Sequence, residues 1–192
     1  AYLWAVPSSG GGFMAAQSTY KMFDAFTGNW ILSIVNATSM QLTSDDNGDL
    51  VGYFVSSNST GRYLNMWNST RCINIGQGGS YYGGGQAPAD NWMWRPAEGS
   101  IIDFKWGIQW TAPINTTFNG NPITLGISAI ADDTILTSYS SSAGSSYFQG
   151  GWIIQAGYSR EDGHLLWGPL NRTEVVNSRV LYGSTTAGDG VW

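Results

Sequence analysis

Short aromatic and β-branched segments, separated by clusters of Gly, Asn, Asp and Ser, are the feature that most constrains the fold of this chain. Helical periodicity is hard to find in any part of the sequence. Short strands bounded by turn-forming residues are typical of an all-β sandwich, barrel or propeller, so we predict an all-β fold. The segments with strand character lie near Tyr20–Phe23, Trp30–Val35, Leu50–Ser56, Tyr63–Trp67, Phe104–Trp110, Ile123–Ala131, Thr134–Tyr139, Gly151–Gly157 and His164–Trp167.

Two of the connections carry tight-turn chemistry. In "DDNGDL", Asn47 and Gly48 favour a type I′ hairpin, because both central residues of that turn need positive φ. In "IADDTILTSY", the pair Asp132-Asp133 separates two apolar runs and predicts a similar hairpin. Longer low-complexity stretches near 76–91 and 138–150 predict long surface loops.

One hairpin motif recurs along the chain. "FDAFTGNWIL" places Asp24, Thr27 and Gly28 between two apolar runs, and a similar final dipeptide occurs in "SSNSTGRYLNMW" and "YSREDGHLLW". A hairpin that recurs with insertions of variable length is typical of a propeller, in which each blade is a small antiparallel sheet stacked on its neighbours. Because Thr-Gly and Asp-Gly turns are common in other β-proteins, a β-sandwich is the alternative.

The segments "FDAFTGNWIL" and "YSREDGHLLWGP" resemble the repeat of PQQ-like (quinoprotein-like) β-propellers, whose blades carry Ala-x-Asp-x-x-Thr-Gly-x-x-x-Trp. "GYFVSSNSTGRYLNMWNST" and "FKWGIQWTAP" are similar to segments of secreted archaeal proteins with propellers of this type. In the first repeat Leu32 stands where the family has Trp, and in the second Ser159 and Asp162 replace Asp and Thr. The residues that match the repeat are Asp24, Thr27, Gly28, Ala156, Gly163 and Trp167.

The resemblance implies a structural role for these matching residues, since the Trp, Asp, Thr and Gly of the repeat dock one blade onto the next. Blades of this kind use about 40 to 50 residues, so the 192 residues correspond to about four blades, fewer than a closed ring needs. We expect residues 1–192 to form a single propeller-like segment with a partial ring, as part of a larger chain or assembly.

Five Asn-x-Thr sequons occur in the chain, more than the roughly one expected by chance. They begin at Asn36, Asn58, Asn68, Asn115 and Asn171. The plain alternative is that Asn and Thr are common in the turns and strands of β-proteins. We predict N-linked glycans on at least some of these sites, and therefore an extracellular or cell-surface location.

Charged residues are sparse in this sequence. They make up 11% of the chain, the net charge is −5, and the eight basic residues are scattered singly. Because no basic patch is available for a phosphate backbone, we exclude nucleic acid as a partner. No apolar run reaches the roughly 18 to 20 residues that a membrane-spanning helix needs, so we predict no membrane span.

Few residues carry reactive chemistry. His164 is the single histidine and Cys72 the single cysteine, which excludes a multi-histidine or paired-cysteine metal site. We expect His164 in a surface hairpin and Cys72 as a small buried side chain. Asp45, Asn47 and Asp49 weakly resemble a calcium loop but lack the downstream Glu of an EF-hand, so we interpret them as a turn. We predict no catalytic residue.

The predicted function is that of a non-catalytic structural or interaction module, whose partners are other protein subunits or a surface assembly. Whether the chain is an enzyme stays open, and we expect that it is not. One alternative is part of a PQQ-dependent oxidoreductase that holds PQQ with calcium. Another is a carbohydrate-binding surface protein, with "NWMWRP" or with Trp106 and Trp110 of "KWGIQW" as the sugar platform.

Overall fold

The computed structural model describes residues 2–6, 18–76, 95–140 and 151–175, and it confirms an all-β fold. The strands are β1 (Tyr2–Ala5), β2 (Ser18–Asp24), β3 (Trp30–Ala37), β4 (Gln41–Ser44), β5 (Leu50–Asn58), β6 (Gly61–Asn68), β7 (Ser100–Asp103), β8 (Ile108–Pro113), β9 (Thr117–Phe118), β10 (Asn121–Pro122), β11 (Gly126–Ile130), β12 (Thr134–Ser140), β13 (Gly151–Ser159) and β14 (Leu165–Val175). The described part also contains one helix, α1 (Ser69–Gly76), and one short 3₁₀ turn (Phe104–Gly107). The predicted loops near 76–91 and 138–150 lie largely outside the described residues, although 138–140 belong to β12.

The described strands form three four-stranded sheets and one two-stranded ribbon, and none of the sheets closes on itself. The first sheet has the order β1-β2-β3-β7, the second β4-β5-β6-β8 and the third β11-β12-β13-β14, while β9 pairs with β10. Strand β7 runs parallel to β3, whereas the other pairs of the first and third sheets are antiparallel. The first two sheets are therefore completed by strands from a later part of the chain.

The chain divides into two compact units, and strands β5 and β6 contribute residues to both. Unit 1 comprises Ala1–Met40, Ser44–Gly52 and Met66–Gln109. Unit 2 comprises Gln41–Thr43, Tyr53–Asn65 and Trp110–Trp192. Each unit contains one complete four-stranded sheet, the first in unit 1 and the third in unit 2.

Trp67 lies at the centre of unit 1 and is fully buried. Its indole stacks on Phe104 at a ring-centroid distance of 5.1 Å and on Tyr20 at 6.1 Å. The indole Nε1 donates to the backbone carbonyl of Phe104 at 2.9 Å, which satisfies the polar atom of the ring. Gly107 lies against the same ring, and a Cβ atom at that position would collide with the indole. The tryptophan therefore joins β2, β6 and the 3₁₀ turn in one aromatic cluster.

Central strands are buried along continuous runs rather than at alternate residues. In β3 the run 31–34 is buried, and in β12 the run 134–137 is buried. Continuous burial is typical of strands that are covered on both faces. Both faces of β3 and β12 are therefore covered by other residues along these runs.

Trp167 of β14 packs on the neighbouring strand of the third sheet in unit 2. It lies over Gly157 of β13, its cross-strand partner, and a Cβ atom there would collide with the indole. The residue under the ring is Gly157. The Ala-x-Asp spacing of the repeat, counted back from Ser159, also falls on Gly157, so the assignment of Ala156 to the repeat is wrong by one residue. Ala156 is fully buried beside this contact, and its carbonyl accepts a hydrogen bond from Thr137 Oγ1 at 3.0 Å.

Helix α1 is absent from the sequence-based prediction. Asn68 caps its first turn, because Asn68 Oδ1 accepts the backbone N–H of Arg71 at 2.8 Å. Asp49 holds the same end, since its carboxylate accepts Thr70 Oγ1–H at 2.5 Å and the Asn68 amide at 3.2 Å. Cys72 of this helix is buried, as predicted, and burial raises the pKa of its thiol to about 12.

The two Asn-Gly dipeptides form different turns. Asn119 and Gly120 both have positive φ, at 49° and 79°, and form a type I′ turn between β9 and β10. At Asn47-Gly48 only the glycine has positive φ, so the predicted type I′ turn is wrong. The reason is local, because Asp45 Oδ1 accepts the N–H of Asn47 at 3.0 Å and holds a different loop.

One further turn prediction and one strand prediction have opposite outcomes. The Asp132-Asp133 hairpin is confirmed and joins β11 to β12. The predicted strand Phe104–Trp110 is wrong in its first half, since β8 begins only at Ile108. Asp103 causes the difference, because its carboxylate caps the 3₁₀ turn that occupies the preceding residues.

We expect Gly157→Ala to lower the free energy of unfolding, because the new Cβ would collide with the indole of Trp167. Overpacking of this kind costs about 1–3 kcal/mol. Gly126→Ala is the matched control, since it lies in the same sheet, has open space around it and has no positive φ. The control should leave stability unchanged or raise it slightly. Chemical denaturation measures both variants, and equal effects would contradict the packing account.

Candidate functional site

Two hairpins share one backbone hydrogen-bond pattern. In the loop 24–29, the N–H of the first residue donates to the carbonyl of the last at 2.9 Å, and Gly28 N–H donates to the first carbonyl at 2.9 Å. In the loop 159–164 the same two bonds measure 2.8 Å and 3.0 Å, the second from Gly163. Both glycines have positive φ, at 73° and 77°. The two segments that carry the sequence repeat therefore fold in the same way.

Asp24 and Thr27 supply the side-chain acceptors of the first hairpin. Asp24 Oδ1 accepts the backbone N–H of Thr27 and of Phe26, each at 2.8 Å. Thr27 Oγ1 accepts the backbone N–H of Asn29 at 3.3 Å. The bonds from Thr27 and then Phe26 hold the pKa of Asp24 below its ordinary value of 3.8. Both side chains therefore stabilise the loop.

Ser159 and Asp162 take the equivalent positions in the second hairpin. Ser159 Oγ accepts the N–H of Glu161 at 3.1 Å, and Asp162 Oδ1 accepts the N–H of His164 at 3.1 Å. The His164 ring is exposed, as predicted, and its Nδ1 lies 2.5 Å from Asp162 Oδ1. This side-chain bond is the largest cause of the lowered pKa of Asp162. Ser and Asp therefore replace Asp and Thr of the repeat without changing the loop.

The third sequence copy of the hairpin has a different loop. Asn58 Oδ1 accepts the backbone N–H of Thr60 at 2.8 Å and that of Gly61 at 3.1 Å. Strands β5 and β6 follow each other across only two residues there. The repeat therefore has two structural copies, and not three, in the part of the chain that the structure describes.

The two structural copies differ in what their glycine contacts. A Cβ added at Gly163 would lie 2.6 Å from Ala112 Cβ and 2.6 Å from Trp110 Cζ3, whereas one added at Gly28 would meet nothing within 4 Å. Trp110 also packs on Tyr53, with ring centroids 6.1 Å apart. Gly163 therefore packs closely against two side chains of β8, whereas Gly28 has open space around it, and the docking role stays a prediction.

The three weak calcium candidates hold a loop and the start of the helix. Asp45 Oδ1 accepts the N–H of Asn47 and that of Asp49, at 3.0 Å and 2.8 Å. Both carboxylate oxygens of Asp49 accept hydrogen bonds, one from Asn68, which caps α1, and one from Thr70 in its first turn. In the described ranges, no group of three His, Cys, Asp or Glu side chains lies close enough together to hold a metal ion.

The sequon asparagines differ in their exposure. Asn36, Asn58 and Asn171 are exposed, and Asn115 is half-buried. Asn68 is buried, caps α1 and donates its Nδ2 to a carboxylate. Because a glycan needs an accessible Nδ2, Asn68 is the least suited of the five, and modification of the others stays a prediction.

A cleft of about 380 Å³ opens on unit 2, and its floor is a row across three neighbouring strands. Tyr139 of β12 pairs with Ile154 of β13, which pairs with Asn171 of β14. Trp152 lies two residues before Ile154 and therefore on the same face of the sheet. The Tyr139 and Trp152 rings are 5.5 Å apart between centroids and tilted by 60°. The register thus places two aromatic rings beside an exposed amide.

The other wall of the cleft belongs to the β9–β10 hairpin. Phe118 and Asn121 pair across this hairpin, and both line the cleft together with Pro122. The type I′ turn at Asn119-Gly120 fixes their position. This cleft was not predicted from the sequence, although "FNGNP" contains the Asn-Gly pair that favours a two-residue hairpin.

The tryptophans proposed as a sugar platform have different surroundings. Trp106 is 43% exposed, and the Lys105 ammonium lies 5.0 Å from the centroid of its ring. Trp110 is half-buried against Gly163 and Tyr53. Most of the other candidate platform, "NWMWRP", lies outside the described residues.

Comparison with known proteins gives no guide to the function. No protein-family model, curated protein or solved structure matches the chain. In the described ranges, no helix is long and apolar enough to cross a membrane. The function must therefore be argued from the residues and their geometry.

We expect the thermal stability of the chain to fall as the pH decreases below about 4, where unfolded carboxyl groups take up protons. The folded pKa of Asp24 is lowered, so its contribution to stability is present above the unfolded pKa and is lost as the pH falls through the folded pKa. Asp24→Asn keeps the Oδ1 acceptor but removes the charge, and should make this decline shallower. Scanning calorimetry across the acidic range measures the slope.

The control for this measurement is Asp46→Asn. Asp46 is exposed and forms no hydrogen bond to another described residue. Its substitution should leave the slope unchanged. If both variants followed the wild-type curve, the carboxylate of Asp24 would have no part in stabilising the hairpin.

Proposed function

We propose that this chain is a non-catalytic structural or interaction module of an extracellular or cell-surface assembly, built from propeller-type blades and carrying N-linked glycans. Its partners are further protein subunits, including other copies of the chain. Three observations support the proposal: the repeated hairpin, an exposed apolar edge strand and the exposure of the sequons.

The repeated hairpin supports a modular, blade-type architecture. Loops 24–29 and 159–164 have the same backbone hydrogen bonds although their side chains differ. The first loop joins β2 to β3 and the second joins β13 to β14, each within a four-stranded sheet. Their polar side chains are committed to backbone N–H groups. Residues used in this way stabilise a scaffold.

The observation that carries the proposal is the outermost strand of the third sheet. Strand β14 pairs with β13 along one side and, among the described strands, stands at the end of the strand order. It nevertheless exposes three leucines: Leu165 at 42%, Leu166 at 43% and Leu170 at 50%. An edge strand with exposed apolar side chains is a template for association with another chain. A partner that covers β14 would pair its free edge and bury its exposed leucines.

Sequon exposure supports a surface location. Asn58 and Asn171 are exposed, and so is Asn36, whose Nδ2 donates to Asp103 at the surface. N-linked glycans on such residues would supply hydration where charged side chains are sparse.

The PQQ-dependent alternative has no observation in its favour. Its calcium ion would need oxygen ligands, and the weak calcium-loop candidates of the sequence are Asp45, Asn47 and Asp49. Asp45 Oδ1 and both carboxylate oxygens of Asp49 already accept hydrogen bonds from protein donors. These oxygens therefore already stabilise the loop and the start of α1, and we derive no reaction step through the cofactor.

We expect the double variant Leu165→Ser/Leu170→Ser to weaken association between copies of the chain by about tenfold or more. Covering each half-exposed leucine contributes about 1 kcal/mol, and every 1.4 kcal/mol is a factor of ten in the association constant. Sedimentation equilibrium over a wide concentration range measures the effect.

The matched control is Phe26→Ser, which removes an isolated apolar side chain that is 86% exposed at the tip of the first hairpin. It should leave association unchanged. Two results would contradict the proposal that β14 is an association surface. One is a wild-type chain that stays monomeric at every concentration, and the other is a double variant that associates as strongly as the wild type.

A further inference from the structure

The cleft of unit 2 joins a sequon asparagine to an aromatic surface. Asn171 is the acceptor of the sequon "NRT", and its exposed side chain lines the cleft. In the sheet it is directly opposite Ile154, and Trp152 lies on the diagonal of the same face. Diagonal neighbours in an antiparallel pair are about 7–8 Å apart, within the reach of an aromatic side chain. A group attached to Asn171 Nδ2 would therefore start at the edge of the aromatic floor.

Polar side-chain atoms around this floor form no hydrogen bonds with other described residues. The side-chain amide of Asn171, the hydroxyl of Tyr139 and the indole N–H of Trp152 form no hydrogen bond within the described ranges. Both rings are only half-buried. On the opposite wall Asn121 supplies a further amide, whose Nδ2 makes one long bond of 3.4 Å to the carbonyl of Asn119. The cleft thus presents aromatic faces together with available donors and acceptors.

A pyranose ring matches this combination. One face of such a ring carries C–H groups, which pack against the electron-rich face of an aromatic ring, and its rim carries hydroxyl groups that pair with amides. Small-molecule sites have the same composition, an apolar and aromatic lining with a few placed polar groups, and volumes from about 300 Å³ upwards. A cavity of about 380 Å³ is large enough for a single sugar ring.

We propose that Asn171 is N-glycosylated and that the first sugar of its glycan lies in this cleft against Trp152 and Tyr139. In the modification, Asn171 Nδ2 attacks the anomeric carbon of a phosphate-linked oligosaccharide donor, so that the N–C bond forms, the C–O bond to the phosphate breaks and one Nδ2 proton is lost. The inference rests on the glycosylation in the proposed function and adds a binding site for the first sugar. The bound sugar fixes β13 to β14 on the cleft face.

The test is a double-mutant cycle in a host that performs N-glycosylation. Thr173→Ala abolishes the sequon without altering Asn171, and Trp152→Ala removes the larger ring. We expect glycopeptide mapping to find Asn171 occupied, and loss of the glycan to lower Tm by about 2–4 °C in the wild-type background. In the Trp152→Ala background the same loss should leave Tm unchanged. Trp152→Leu keeps an apolar side chain in place and serves the cycle if Trp152→Ala does not fold.

Two controls assign the coupling to the sugar. Trp152 and Thr173 are direct cross-strand partners, so the same four proteins from a host without N-glycosylation measure their direct coupling. The coupling in the glycosylating host should exceed this value. Thr38→Ala, which abolishes the sequon of the exposed Asn36 in unit 1, should shift Tm equally with and without Trp152.

An unmodified Asn171 would overturn the inference, and so would an occupied Asn171 whose effect on Tm does not depend on Trp152. Either result can be told apart from failure of the interaction proposal, which is measured by association through β14 in sedimentation.

Discussion

Tryptophan packed on glycine is the contact on which both units depend. In unit 1 the indole of Trp67 lies on Gly107, and in unit 2 there are two such pairs. They are Trp167 on Gly157 and Trp110 on Gly163. An indole removes a large apolar area from water, and glycine lets the ring approach the backbone directly. Charged residues make up only 11% of the chain, so apolar packing of this kind contributes more to both units than ion pairing can.

The conserved geometry of the two hairpins separates scaffold from function. Different side chains, Asp24 with Thr27 and Ser159 with Asp162, close the same loop because each supplies an oxygen to the same backbone N–H groups. The loops are therefore interchangeable structural parts. The features that distinguish one region from another are at the surface: the exposed leucines of β14 and the aromatic cleft beside Asn171. Both are features on which the proposed interaction role rests.

Local patterns predicted the strands of this fold, and long-range contacts decided the rest. The hairpins at 24–29 and 132–133 follow from residues within the turn itself. Helix α1 depends on Asp49, which lies about 20 residues before it in the sequence. No local hydrophobic periodicity predicts this helix. The pairing of β7 with β3 likewise joins segments separated by a long stretch of chain. The cleft requires the register of three strands, so its residues could not be grouped from the sequence.

The most direct test of the account is glycopeptide mapping of the chain isolated from its natural source. The account predicts hexose-containing glycans on the exposed sequons at Asn36, Asn58 and Asn171, and an unmodified Asn68, because that side chain is buried and caps α1. Peptides without any modification at all five sites would contradict the extracellular, glycosylated module that we propose.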